Sequence, residues 1–220
     1  MACGTGYGSK YLYMNGSAKT VTGIDLDSDA VRYAKIRYIN KSNSEFLNYQ
    51  LQDACVPFTD KLFDVITSFE TIEHVPHPDL MLDNIISMFH NDSTLIISSP
   101  VRQLGNLEDK PSNQHHLREW SIAEFILLLQ QYFQEVEIYG QSWVIRDSWF
   151  HLPIPHKIQN IIMRKAGFDP ANWQNFRYDV HPINIMPKWS ITGPPQYAVA
   201  VCNAPHSGAS KNILQSLCQT

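Results

Sequence analysis

Short apolar β-rich runs alternate with segments of helical period along most of this chain, and that alternation constrains the fold more than any other feature. "TVTGIDLD" (20–27) is such a run. It is followed by "SDAVRYAKIRYIN" (28–40), where Ala30, Val31, Ala34 and Tyr38 recur at helical spacing and Asp27 or Ser28 can cap the start. "EFLNYQLQD" (45–53) and "FDVITSFETIEHV" (63–75) begin as strands, the second turning polar at its end. "DLMLDNIISMFH" (79–90) places Leu82, Ile85, Ile86 and Phe89 on one helical face, and "STLIISSP" (93–100) reads as a buried strand. "SIAEFILLLQQYF" (121–133) carries a capping box of Ser121 and Glu124 ahead of an apolar stripe. "EVEIYGQ" (135–141) and "QYAVAVCN" (196–203) read as two further strands. Strands and helices in alternation predict an α/β fold, a mainly parallel sheet with helices on both faces.

In such sheets ligands bind beyond the carboxyl ends of the strands. The chain opens there, with "ACGTGYGS" (2–9) leading into a helix expected over 7–14. Gly4, Gly6 and Gly8 permit positive φ and the close approach of a ligand, and the following helix offers free N–H groups. A dinucleotide fingerprint would need a third small residue where Ser9 stands. Asp25, ending the next strand, can accept hydrogen bonds from both hydroxyls of a ribose. That role suits NAD and S-adenosylmethionine equally, so at this point the loop and Asp25 define a nucleoside site and no more.

The order and spacing of "ACGTGYGS", "VTGIDLDSDAVRYAK" and "QDACVPFTDKLFDVITSFETIEHV" resemble the class I S-adenosylmethionine-dependent methyltransferases. The branch resembled includes the ubiquinone-biosynthesis-type O-methyltransferases, and "HHLREWSIAEFILLLQQYF" is similar to its segment after the fifth strand. The resemblance covers about residues 2–141 and the final strand. It implies a Rossmann-like seven-stranded sheet of order 3-2-1-4-5-7-6 with the seventh strand antiparallel. S-adenosylmethionine is then the implied cofactor. Gly4, Thr5, Gly6 and Gly8 would line its methionine and ribose. Asp25, with Leu26 beside it, would hold the ribose diol, Asp53 and the Ala54 backbone would meet the adenine amino group, and Glu70 would sit near the sulfonium. The family places a strand and an acidic residue ahead of the glycine loop. Here the loop stands at Met1, so we expect the first strand to be missing, as in a truncated fragment or a misassigned start. Two smaller departures are "HNDST" in place of a Pro-Gly-Gly turn before the fifth strand, and Val101 where a polar residue often follows it.

Methyl transfer from a sulfonium is an in-line displacement that needs alignment above all. An oxygen nucleophile also needs to lose a proton, and histidine suits that near neutral pH. His74, after the fourth strand, and His115 and His116, after the fifth, are the candidate catalytic residues. At most one of the adjacent pair can readily point inward, and His74 has a blander role open to it as a backbone hydrogen-bonding group. No metal is expected. Pro76 keeps His74 and His77 off one regular helix face, and the spacing of these histidines with Glu73 fits no common ligand pattern.

One domain is expected over 1–204, with 142–195 as a substrate-side insertion or lid and 205–220 as a tail. Trp143, Trp149, Phe150, Trp173 and Trp189 lie in or beside that insertion, as pocket walls or packing. Its pieces 155–168 and 169–176 read as short helices. The 220 residues are 44% hydrophobic and 17% charged, with a formal net charge of −4. No basic block points to nucleic acid, and no apolar run has the length of a membrane span, so a small-molecule acceptor in the cytoplasm is the expected setting. The four cysteines form no CxxC and are read as reduced, mostly buried thiols. Three rival functions are a methyltransferase acting on protein or nucleic acid, a degenerate domain without activity, and an NAD-dependent dehydrogenase. Ser9 and the acid at Asp53 weigh against the last.

Overall fold

A computed structural model describes residues 1–102, 110–111, 113–145, 176–182 and 197–206. The expected 142–195 insertion and 205–220 tail therefore lie mostly outside the described residues. So do Trp149, Phe150, Trp173 and Trp189, the helix read over 155–168, all of the helix read over 169–176 except Phe176, which begins a strand, and Cys218.

Four parallel-paired strands carry the expected ligand-binding edge. β1 (Val21–Asp25) pairs in parallel with β2 (Leu47–Leu51), and β3 (Phe63–Ser68) pairs in parallel with β4 (Phe89–Pro100). β7 (Tyr197–Pro205) runs antiparallel between β4 and β5 (Phe133–Ile145), and β6 (Phe176–Pro182) lies antiparallel outside β5. The strand orders are thus β1-β2 and β3-β4-β7-β5-β6. The expected 4-5-7-6 order is present with the return strand in place. Residues at the chain start bridge the two sheets: the Met1 ammonium donates to the Thr67 carbonyl of β3, and the Cys3 N–H donates to the Ile24 carbonyl of β1 at 2.8 Å.

Two expectations are corrected. β6 lies within the segment read as an irregular insertion, where Phe176, Tyr178 and Val180 alternate with Arg177, Asp179 and His181 as a strand requires. "HNDST" is also no turn ahead of the strand. β4 already begins at Phe89, and "HNDS" bulges out of it, since the register steps from Phe63↔Phe89 to Val65↔Thr94. The bulge is held by its own polar groups. His90 N–H donates to Ser93 Oγ, Asp92 N–H to His90 Nδ1, and Ser93 Oγ to the Phe63 carbonyl.

The helices begin where local chemistry satisfies their free N–H groups. Asp27 accepts from Asp29 and Ala30 to start α2 (Ser28–Tyr38). Pro78 stands in the first turn of α3 (Pro78–Ser87), where its missing N–H costs nothing. Ser121 and Glu124 form the full capping box of α4 (Ile122–Gln130). α1 (Tyr7–Asn15) is entered through Gly6 at φ +85° with neither a side-chain cap nor a proline in its first turn, so its first N–H groups stay directed into the loop.

The main core packs α3, β3, β4, α4 and β7 around Met81, Leu82, Ile85, Leu95, Ile97, Phe125 and Phe133. β7 turns the small residues Ala198, Ala200 and Cys202 into it, which lets the flanking layers close tightly. A second cluster of Val31, Ala34, Leu47 and Tyr49 fastens α2 to β2. The thiol reading needs adjustment, because Cys202 is buried while Cys3 and Cys55 are half-buried. Among the described residues no helix is long and apolar enough to cross a membrane.

Candidate functional site

Each of the first four strands delivers one polar group at its carboxyl end. Asp25 ends β1, and its carboxylate is the joint of the glycine loop. Oδ2 accepts the Gly4 N–H at 2.6 Å and Oδ1 accepts the Asp27 N–H at 2.9 Å. Each oxygen keeps lone-pair capacity for a further donor, which is what a ribose diol requires. The carbonyl of Asp25 takes the Gln52 N–H at 2.9 Å, so Asp53 follows directly beside it. Asp53 Oδ1 caps the turn after β2 by accepting the Cys55 N–H at 2.9 Å. That turn is tied to α3, since Asn84 Nδ2 donates to the carbonyls of Ala54 at 2.8 Å and Val56 at 3.1 Å. The structure thus brings Gly4, Asp25 and Asp53 together at one edge.

The three glycines divide the loop's work. Gly4 (φ +51°) and Gly8 face open space, with nothing near the position a Cβ would take. Gly6 (φ +85°) is packed: a Cβ there would lie 2.6 Å from Ala34 Cβ and 2.7 Å from Tyr49 Cε1. Tyr49 locks the bend by donating its hydroxyl to the Gly6 carbonyl at 2.8 Å. Thr5 and Leu26 are exposed beside this bend, Leu26 at 71%. A backbone concavity with free helix N–H groups, a carboxylate with spare acceptor capacity and an exposed apolar side chain fits an adenosyl ligand carrying a charged amino-acid end.

Beyond β3 the chain makes a strained exit. Glu70 sits at φ +50°, rare for a residue with a side chain. Ser98 on β4 holds it there, receiving the Glu70 N–H at 3.1 Å and donating its hydroxyl to Glu70 Oε1 at 2.6 Å. Desolvation raises the Glu70 carboxyl, with the Ser98 hydroxyl and the nearby His116 and His74 pulling the other way. Next comes a single helical turn, Ile72–His74, which buries Glu73 completely.

Glu73 is the exceptional group of this region. Neither carboxylate oxygen has a hydrogen-bond partner, and burial pushes its carboxyl up to about 8, with Glu70 and Glu119 adding repulsion. The nitrogens it faces belong to His74, whose Nε2 lies 3.6 Å from Glu73 Oε1, and to His116. The two imidazoles meet edge to face, with centroids 5.0 Å apart. His74 donates Nδ1–H to the His115 carbonyl at 2.9 Å, and His116 donates Nδ1–H to Glu119 Oε1 at 2.6 Å. The segment carrying His115 and His116 is docked by two bonds, Leu117 N–H to the Glu73 carbonyl and Arg118 to the Pro76 carbonyl.

Of the three histidines singled out in the sequence, His74 and His116 converge. The ring of His115 is exposed, and its backbone carbonyl is what touches the cluster. His77 is exposed too, and its carbonyl accepts from the Cys55 thiol. Two separate loops meet in this cluster, so spacing along the chain does not report it. Ser98 and Glu119 escaped sequence reasoning. The three-residue interval from His116 to Glu119 is the one signal from which that pair could have been read, whereas nothing in "LIISSP" marks Ser98. Val101 is buried against Trp120 as a bridge between segments.

The fold and the edge site together define a nucleoside-binding α/β enzyme domain, and comparison with known proteins gives the class. The family model described as "Methyltransferase domain" matches residues 1–163, so the chain belongs to that family of S-adenosylmethionine-dependent methyltransferases. A ubiquinone biosynthesis O-methyltransferase of Glaesserella parasuis is 35% identical over 106 residues, covering 45% of this chain and 43% of that protein. A fatty-acid O-methyltransferase of Mycolicibacterium smegmatis is 34% identical over 85 residues, covering 39% and 30%. The chain spans half or less of the length of these relatives. Among solved structures, the O-methyltransferase of a Brevibacillus brevis multienzyme, in complex with S-adenosyl-L-homocysteine, is similar in fold at TM-score 0.58. It is 14% identical and covers 96% of this chain and 67% of its own. A possible histamine N-methyltransferase from Thermotoga maritima aligns at TM-score 0.58 and 16% identity, over 92% and 79%.

Proposed function

We propose that this chain transfers a methyl group from S-adenosylmethionine to an oxygen of a small molecule. The observation that carries the reading is the convergence of Glu73, His74 and His116 just past Glu70, on the strand edge next to the one that holds the glycine loop and Asp25. Bound there, the cofactor supplies a methyl group on a sulfonium whose leaving group is a neutral thioether. The protein's own groups then have three tasks.

The loop and Asp25 orient the adenosyl part through Gly4, the α1 N-terminus and the carboxylate. Glu70, locked by Ser98, fixes the exit from β3 next to the methionine end. The proton of an acceptor hydroxyl is lost to the histidine–carboxylate cluster. Its two imidazoles are held in one tautomer by the His115 carbonyl and Glu119, so Nε2 is the accepting nitrogen of each, that of His116 being met by Asn113 Nδ2 at 2.9 Å. An oxygen acceptor is favoured because such proton-handling groups are needed for a hydroxyl. The names of the O-methylating relatives and the net charge of −4 support a small, non-nucleic-acid acceptor.

The test is incubation with S-adenosylmethionine and a panel of phenols, vicinal diols and long-chain carboxylic acids, with mass spectrometry of products. Methylated small molecules are the expected result. Methylation only of protein or RNA added in parallel overturns the acceptor reading. Absence of S-adenosylhomocysteine binding overturns the cofactor reading as well.

A further inference from the structure

We propose that Arg102 binds an anionic group of the methyl acceptor, which makes the acceptor a small hydroxylated acid. Its hydroxyl lies at the histidine cluster and its carboxylate or phosphate lies on the guanidinium. This inference rests on the reading of the site given above and names the acceptor's chemical class.

Arg102 is the second residue after β4, on the strand-end rim where ligands of such sheets bind. Its side chain is only 10% exposed, and Nη2 donates to Glu124. The other terminal nitrogen, Nη1, is buried and has no hydrogen-bond partner among the described residues. A guanidinium is a planar fork of donors that matches two oxygens of a carboxylate or phosphate, and a buried donor left unused is costly. Glu124 is also committed to the Ser121 N–H and hydroxyl, so it answers only part of the guanidinium's charge.

A second, independent observation points to a ligand at the same rim. Six buried polar side-chain atoms lack a partner among the described residues, and four of them stand there: Ser68 Oγ at the end of β3, both Glu73 oxygens, and Arg102 Nη1. Unmet donors and acceptors gathered at one edge are the groups a polar ligand satisfies.

Charge decides which way round the ligand lies. Glu70, Glu73 and Glu119 surround the imidazoles, so an anionic group is repelled from that end and a neutral hydroxyl is admitted. The chain also sets the scale. His116 and Trp120 lie on one short segment, and the Trp120 carbonyl accepts the Arg102 N–H at 2.9 Å. Four residues reach at most about 14 Å, which keeps both ends within reach of one small molecule.

The test is calorimetric titration of the protein saturated with S-adenosylhomocysteine. The probes are para-hydroxybenzoate, its neutral amide and para-hydroxyphenyl phosphate, with β-hydroxydecanoate and its amide as the aliphatic arm. An acid should bind at least about tenfold more tightly than its neutral counterpart, and the carboxylate and phosphate arms show which oxyanion is taken. Arg102→Gln should abolish that preference, and Arg102→Lys, which keeps the charge and loses the fork, should reduce it. Glu124→Gln retains the capping box and removes the competing carboxylate, so it should tighten the acid and leave the amide unchanged. A merely structural Arg102 would not produce that gain. Arg32→Gln, on the exposed face of α2, should change nothing. Circular dichroism and retained S-adenosylhomocysteine affinity certify that the variants fold. Acids that bind no better than their amides, or a preference that survives in folded Arg102→Gln or is undiminished in folded Arg102→Lys, overturn the proposal and leave the cofactor reading standing. A parent protein that fails to bind S-adenosylhomocysteine overturns that reading and this proposal with it.

Discussion

Replacing each loop glycine with alanine separates backbone geometry from ligand contact. At Gly6 the new Cβ meets Ala34 Cβ at 2.6 Å and the Tyr49 ring at 2.7 and 2.9 Å. Those atoms belong to the buried cluster that fastens α2 to β2, so neither neighbour can yield cheaply. The left-handed backbone at φ +85° adds about 1–2 kcal/mol for a residue with a Cβ, and overpacking adds about 1–3 kcal/mol. Gly6→Ala should therefore destabilise by about 2–5 kcal/mol. Gly4→Ala has no clash and carries only the left-handed cost of about 1–2 kcal/mol. Gly8 lies in the first turn of α1 with open space around it, so Gly8→Ala should be neutral or stabilising by about 0.5–1 kcal/mol. Urea unfolding followed by far-ultraviolet circular dichroism reads the order directly. S-adenosylhomocysteine calorimetry should show the complementary effect, with the methyl groups at positions 4 and 8 entering the space left for the ligand. A Gly6→Ala protein within about 0.5 kcal/mol of the parent would refute the packing argument, as would Gly8→Ala proving the most damaging of the three.

Asp25→Ala should weaken S-adenosylhomocysteine binding by about 1–3 kcal/mol in calorimetry, because it removes an acceptor from the ribose and frees the Gly4 N–H at once. Ser121→Ala should cost about 1 kcal/mol in urea titrations through loss of the α4 cap. Glu124 shares that cap, and the Ser121 hydroxyl and N–H hold its carboxyl below the ordinary 4.5. A depressed carboxyl stabilises the fold fully above its unfolded value and loses that effect as pH falls through the folded one, so the Ser121→Ala deficit should shrink in acid below about pH 4. Burial pushes the Cys202 thiol up to about 12. Peptide mapping after iodoacetamide treatment at pH 8 should find Cys202 unmodified in native protein and modified in urea.

Much of this edge was legible in the residues because single residues report local chemistry well. The Ser121–Glu124 box, the Asp27 cap and the glycine bend each encode their geometry within a few positions. Ala30, Val31 and Ala34 were correctly read as one helix. β6 was missed although Phe176, Tyr178 and Val180 alternate with Arg177, Asp179 and His181, because this short run sits in a segment rich in Pro, Trp and His and its strand is completed by pairing with β5 at the sheet's edge, a nonlocal cause. The bulge in β4 was read as a turn because Asn and Asp favour both, and only the partner strand decides which. The meeting of His74 with His116 was hidden for a related reason. The two histidines approach through the Leu117–Glu73 and Arg118–Pro76 hydrogen bonds between loops, which no periodicity records. The isolation of Glu73 is likewise a property of the packed state.

The most direct test of the account is calorimetric titration of the chain with S-adenosylhomocysteine, run beside NADH and repeated on Asp25→Ala. Saturable one-to-one binding of S-adenosylhomocysteine, weakened in the variant, with no response to NADH, is the predicted result. Binding that ignores the Asp25 substitution, or that occurs with NADH instead, would contradict the assignment of the Gly4–Asp25–Asp53 edge as the adenosyl site.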